Sequence, residues 1–257
     1  VVIVPADVMP HYGGNPDSLF AQVADRIALS IVSGAVAPGD LVPNEAAIGD
    51  GHPVSRSVYR EALKFLSAKG LIEARPKSGT RAAPASTWNL LDPDVLRWSL
   101  SAGANEKYIH DLYELRSFIE PNAARLAALR RTSEQARALR IAVDGMAASI
   151  PYSQENIRCD LAFHEALLDA CGNHALMCLK SVVMTTLMWA LSIQVGKSHI
   201  DYASALSDHQ RLCEAIEQQD GERAKTVMTL LVHDALHDTL SIFRKRKTHP
   251  GFRNAAE

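Results

Sequence analysis

Hydrophobic positions in the first eighty residues fall into helical phases separated by turns. In SLFAQVADRIALSIVS, residues 18–33, Leu19, Val23, Ile27 and Ile31 recur at helical spacing, with Ser18 placed to cap the helix and Gly34 to stop it. AVAPGDLVP follows, its Pro-Gly-Asp being turn chemistry, and a second, shorter helix begins at about Asn44. In VSRSVYREALKFLSAKGLI, Ser55 caps a helix whose apolar face is Val58, Ala62, Leu63, Phe65 and Leu66. Arg56, Ser57, Arg60 and Lys64 fall on or near the opposite face, the layout of a helix that enters a major groove. After Gly70, LIEARPKSGTRAA reads as two short strands joined at Lys77, Ser78 and Gly79, a basic hairpin able to reach phosphates or a minor groove.

The pattern then changes. Pro84 and Ala85 start a linker, and Asp92-Pro93 opens a short helix that Trp88 and Trp98 pin down. From Asn105 to about Arg246 the period is helical throughout and no strand is evident. Breaks near Arg131-Thr132, Ile150-Pro151, Gly172-Asn173, Gly196 to Ser198 and Asp220-Gly221 predict about six helices, hence an antiparallel bundle. The expected organisation is a flexible leader (1–17), a first domain (18–83), a linker with a short helix (84–104), an all-helical domain (105–246) and a tail (247–257).

At 257 residues the chain can bury two separate cores, and 47% hydrophobic with 22% charged residues is a globular composition. The apolar stretch from Val182 to Ile193 is interrupted by polar residues and falls short of the roughly 20 apolar residues a membrane span needs. The N-terminal stretch has no basic n-region, so a cytoplasmic chain is expected. Cys159, Cys171, Cys178 and Cys213 form no CxxC and read as reduced, buried thiols. The formal net charge is -2, yet Ser55 to Arg81 carries seven basic residues against two acidic ones, a local +5 that points to an anionic partner.

Candidate chemistry sits in the helical half. Asp160 and His164 in DLAFHEALLDACGNH are four residues apart and share a helix face. His209 and His233 lie on later helices, and His233 with His237 forms a competing i, i+4 pair. A carboxylate with imidazoles suits Zn, Ni, Mn or Fe. There is no HExxH, and Glu165 and Asp169 lie on other faces of the Asp160 helix. A metal-dependent hydrolase or lyase with an appended nucleic-acid-binding domain is therefore the alternative reading, and a purely structural metal a third.

PGDLVPNE and VSRSVYREALKFLSAKGLIEARPKSGT resemble the winged helix domains of the GntR superfamily. ELRSFIEPNAARLAAL, DLAFHEALLDACGNHAL, DHQRLCEAIEQQDGERA and the His233 helix are similar to the effector domains of its FadR-like branch. The resemblance implies a mainly α chain, an N-terminal winged helix-turn-helix and a C-terminal antiparallel α-helical bundle. It implies a homodimeric repressor that binds a short palindrome of double-stranded operator DNA and releases it on binding a small organic acid. By the same resemblance Asp160, His164, His209 and His233 hold a divalent metal, most simply Zn, leaving His237 outside. Arg116 either clamps the acid or forms a salt bridge with Glu114 or Glu120. Arg56 and Arg60 are expected at base edges, and Ser55, Ser57, Lys64, Lys77 and Ser78 at phosphates or groove edges. WNLLDPDVLRW resembles regulators of sugar-acid catabolism in particular. The chain departs from the family pattern at Gly49, Gly51 and Pro53, which should shorten or distort the second helix, and at Ala46, where relatives often place an Arg.

Overall fold

A computed structural model describes residues 15, 17–49, 54–75, 78–103, 105–194 and 199–248. Most of the expected leader, all of the tail beyond Thr248, and Gly51, Pro53 and Lys77 lie outside them. The chain divides into two compact units, Val1–Ala104 and Asn105–Glu257.

The first unit is a winged helix. Helices α1 (Leu19–Val32), α2 (Glu45–Gly49) and α3 (Arg56–Ala68) are followed by strands β1 (Ile72–Arg75) and β2 (Gly79–Ala82), paired antiparallel from Ile72–Ala82 to Arg75–Gly79. An isolated bridge from Leu41 to Arg81 adds a third strand position. Ser18 and Ser55 cap α1 and α3 through their side-chain oxygens, as their positions predict. The core joins Val23, Ala24, Ile27 and Ile31 of α1 to Ala62 and Leu66 of α3, with Leu71 and Ile72 behind them. Two details differ from the periodicity. Leu19 is left exposed at the helix start, and Tyr59 takes a buried place while Val58 and Leu63 are only partly covered. Tyr59 can lie inward because its hydroxyl donates to the Pro43 carbonyl at 2.7 Å.

Residues after Pro84 fold onto this same unit. A 3-10 turn (Ala85–Thr87) leads to α4 (Pro93–Ser101), which Asp92 caps. Val95 and Trp98 of α4 enter the core. Lys69 pairs with Asp92 at 2.7 Å and Asp94 at 2.9 Å, while Asp25 accepts from Arg97 at 2.8 Å and from the Trp98 indole at 2.6 Å. Gly70 makes the return possible. It adopts φ +79, and a Cβ there would lie 2.1 Å from the Thr87 carbonyl oxygen.

The second unit is the expected helical bundle: α5 (Glu106–Arg130), α6 (Ser133–Ala148), α7 (Gln154–Ala170), α8 (His174–Met177), α9 (Lys180–Ser192), α10 (His199–Glu217) and α11 (Gly221–Thr248). The break at Gly172-Asn173 yields one more element than expected, the single turn α8, because Asn173 caps a new helix immediately. Thr132 with Gln135 forms a capping box, and Asn105 and Ser153 cap α5 and α7. Helix α5 lies antiparallel along α11, cross-linked by Glu106 to Arg244 at 2.9 Å and by Tyr113 to Thr239 at 2.7 Å. Cys159, Cys171 and Cys213 are buried free thiols, but Cys178 is exposed at the end of α8, where one turn has too little surface to cover it. No helix of the described residues is long and apolar enough to cross a membrane.

Gly70→Ala combines left-handed backbone strain with a backbone clash that no side chain can relieve. It is expected to cost the first unit about 2–4 kcal/mol, measured by urea unfolding; a loss below about 0.5 kcal/mol would show that the Thr87 turn relaxes freely.

Candidate metal centre and nucleic-acid interface

On α3, Ser55, Arg56, Ser57, Arg60 and Lys64 are all exposed. Arg56, Arg60 and Lys64 make no ion pair among the described residues, and the first turn holds no acidic residue. The positive end of the helix is thus open to an anion. Ser55 spends its oxygen on the Val58 amide, 3.3 Å away, and lies 3.0 Å from the Ser57 hydroxyl. Ser78 is exposed in the wing. The local +5 is partly structural, however. Lys69 is buried against two aspartates, Arg81 donates to the Gly39 carbonyl at 2.7 Å, and Arg75 pairs with Glu73 at 3.2 Å. The uncommitted described positive charge is concentrated on α3.

In the second unit, Asp160 and His164 stand one turn apart on α7 and meet His209 from α10. Asp160 Oδ1 lies 3.4 Å from His164 Nε2 and 3.8 Å from His209 Nε2, and the two nitrogens are 3.4 Å apart. A point equidistant from the three atoms sits about 2 Å from each, the bond length that Zn and similar ions form with N and O donors. All three residues are buried, and Asp160 Oδ1 has no hydrogen-bond partner. An anionic oxygen that is buried and unpaired is costly without a cation beside it, so the donor set fits a metal.

Surrounding groups aim these donors. His209 Nδ1 donates to the Ala205 carbonyl at 2.7 Å, which leaves Nε2 as the lone-pair nitrogen. Burial holds the His209 imidazole below its ordinary pKa, against the opposing pull of Asp160. His164 Nδ1 faces Glu120 Oε2 at 3.2 Å, off the line of a full hydrogen bond. Glu120 was visible in the sequence only as a salt-bridge candidate for Arg116, and its contact with α7 could not be read from spacing. Desolvation alone would raise its pKa, but Arg116 and then His164 outweigh burial and push it down to about 2.

Of the two roles considered for Arg116, the salt bridge is observed: Nε donates to Glu120 Oε1 and Nη2 to Oε2 at 3.3 Å. Nη1 is buried with no partner, and Arg116 borders the same cavity of about 270 Å³ as Asp160, His164 and His209. Tyr152, Asn156, Gln194 and Tyr202 add polar atoms to its wall. These four carried no sequence signal, since each lies in a separate helical or turn context.

His233 is not brought into the cluster. Its side chain is 74% exposed and pairs with neighbouring Asp234 at 3.0 Å. The reason is rotational: Leu231, Val232 and Ala235 of α11 border the cavity, and two residues along a helix turn a side chain by about 200°. His237 borders the cavity but is 82% exposed and does not join the three donors. Glu165 and Asp169, the carboxylates nearest the site in sequence, are both held by Lys180 at 2.8 and 2.9 Å.

A winged helix with an uncommitted basic helix, carried on one chain with a helical domain that holds a cavity bordered by ionisable side chains, is the build of a transcription regulator. Residues 19–81 match the family described as "Bacterial regulatory proteins, gntR family", and residues 111–234 match the "FCD domain". The chain is 32% identical over 213 residues to the galactonate operon transcriptional repressor of Escherichia coli (strain K12), covering 81% of this chain and 93% of that one. It is 33% identical over 215 residues to the HTH-type transcriptional regulator YieP of the same organism, described as uncharacterized, with 79% and 87% covered. A solved structure titled "Lar controls the expression of the Listeria monocytogenes agr system and mediates virulence" shares the fold at TM-score 0.60 and 15% identity, covering 89% of this chain and 99% of that one. The chain belongs to the GntR family of DNA-binding transcription regulators, in the branch with a FadR-like FCD domain.

Glu120→Gln removes the only carboxylate that Arg116 contacts among the described residues and leaves its charge buried. The expected cost is about 3–5 kcal/mol in urea unfolding of chelator-stripped protein, whereas a loss under about 1 kcal/mol would mean that water reaches the guanidinium.

Proposed function

We propose that this regulator is a dimeric repressor of a catabolic operon, released from its operator by a small organic acid that binds beside a divalent metal. The observation that carries the reading is the pairing of opposite demands in one buried cavity. Asp160, His164 and His209 call for a cation, while the unpartnered Nη1 of Arg116 calls for an anion. A carboxylate-bearing ligand satisfies the guanidinium and contributes donor atoms to the metal. Zn fits the donor types, as do Ni, Mn and Fe. The 32% identity to a galactonate operon repressor favours a sugar acid within that class.

On the DNA side, Arg56 and Arg60 read base edges, and Ser55, Ser57, Lys64, Lys77 and Ser78 contact phosphates or groove edges. Two copies place their α3 helices in successive major grooves of a short palindrome, and the reaction takes place in the cytoplasm, where that DNA lies. The acid acts by binding the DNA-incompetent arrangement more tightly than the competent one. Glu165 and Asp169, the carboxylates nearest Asp160 and His164 in sequence, are paired with Lys180 and do not border the cavity, which weighs against the hydrolase or lyase alternative.

The first test is selection of fragments from sheared genomic DNA by the purified protein, then footprinting at two salt concentrations. A short palindromic footprint is expected, lost on adding the acid; no specific fragment from metal-loaded or stripped protein would sink the reading, and turnover of the acid would favour the enzyme. Arg56→Ala is expected to weaken specific binding by about 1–3 kcal/mol, and Lys64→Ala to reduce the salt slope by about one with little change in sequence preference. Unchanged affinity would remove either residue from the interface.

A further inference from the structure

We propose that α11 supplies no ligand to the metal, which is held by Asp160, His164 and His209 alone, and that the acid closes the coordination shell, so that metal and acid bind as one coupled unit. The inference rests on the metal reading of these three residues and concerns what completes their site.

Among the described residues, no side chain of α11 joins the three donors. The helix turns Leu231 and Val232, both buried, toward the cavity that the donors share. His233 is on the far side, tied to Asp234, and His237 is at the exposed rim. Bringing the His233 imidazole inward would require α11 to rotate about its axis, whereas His237 already borders the cavity at its rim and stays outside the donor cluster. That rotation would break the buried Tyr113–Thr239 hydrogen bond and lift Leu231 and Val232 from their packing.

Charge leads to the same conclusion. A divalent ion on one carboxylate and two neutral imidazoles leaves a net positive charge in a buried site. Arg116 does not change that sum, because Glu120 neutralises it, and Asp208 at the cavity wall is neutralised by Arg211. Asp234 and Asp238 stand at the rim, half or more exposed to water in the case of Asp234 and less in that of Asp238, and neither reaches the donor cluster. One carboxylate from a ligand, placed between the metal and Arg116 Nη1, cancels the excess. Three protein donors also leave room for two ligand atoms, so an acid with a hydroxyl on the carbon next to its carboxylate can close a five-membered chelate, where a plain carboxylate offers one oxygen or a strained four-membered ring. By linkage, a ligand that tightens the metal is itself tightened by the metal to the same degree.

The test uses full-length, chelator-stripped protein titrated with Co(II), read by bound metal and by the visible spectrum, with and without saturating glycolate; acetate, which lacks the hydroxyl donor, is the control. One Co(II) per chain is expected, with affinity raised about tenfold or more by glycolate, less by acetate, and a glycolate-dependent change in the spectrum. His233→Ala, His237→Ala and Asp238→Asn, all at partly or fully exposed positions, should bind Co(II) within about twofold of the parent, whereas His209→Ala should lose about 100-fold. Leu231→His places an imidazole on the cavity face of α11, and it should bind Co(II) at least about tenfold more tightly while losing most of the glycolate effect. A tenfold or greater loss in any of the three rim variants would give α11 a ligand after all and overturn the proposal, as would Co(II) affinity indifferent to glycolate in the parent. Failure of the parent to bind Co(II) at all, with or without glycolate, is the separate result that would overturn the metal reading and this inference together.

Discussion

Glu120 is the group on which the helical domain's interior depends. It is wholly buried, and a carboxylate in that position is stable only with its charge compensated on both oxygens. Arg116 from one turn earlier on α5 covers both oxygens, and His164 from α7 approaches one of them. Because a carboxylate has two ends and a guanidinium three, this arrangement has directed leftovers. The His164 Nε2 is turned toward Asp160 and His209, and Arg116 Nη1 is left facing the cavity. A single buried anion thereby orients a cation-seeking cluster and an anion-seeking group toward a common space.

The winged helix follows a similar economy on a different scale. Its basic residues serve two purposes that linear charge counting cannot separate. Lys69 and Arg97 are consumed in fastening α4, where Asp92, Asp94 and Asp25 await them, and Arg81 is consumed by the loop before α2. What remains uncommitted is the row Arg56, Arg60 and Lys64, spaced four apart on the solvent face of α3. The charge available to DNA is therefore smaller than the local sum, and better ordered. Three cations on one rigid helix present a fixed pattern to a groove, which a diffuse basic segment would not.

Much of this protein could be read from its sequence because the relevant physics is local. Helix starts are set by side-chain oxygens within three residues of the amides they satisfy, as at Ser18, Ser55, Asp92, Asn105, Thr132 and Ser153. Amphipathic spacing separates the inward Ala62 and Leu66 from the outward Arg56 and Arg60 within a single helix. Asp160 and His164 share a face because four residues are close to one turn. The division into a winged helix and a helical bundle, and the Asp-His pair at the heart of the cavity, are thus properties of short windows.

Tertiary structure decided whatever depends on how one helix is turned against another. His209 joins the cluster and His233 does not, although both are histidines on later helices, because packing against α5 sets the rotation of α11 and gives its cavity face to Leu231. A helix repeats its own pattern faithfully but carries no mark of the angle at which it meets a partner. That angle is chosen by the sum of many buried contacts across separate segments. The same holds for Glu120 reaching His164, for Lys69, one of the charges in the local +5, becoming a fastening for α4, and for Tyr59 finding the Pro43 carbonyl. Short windows determined which residues could do chemistry; long-range packing determined which of them face one another.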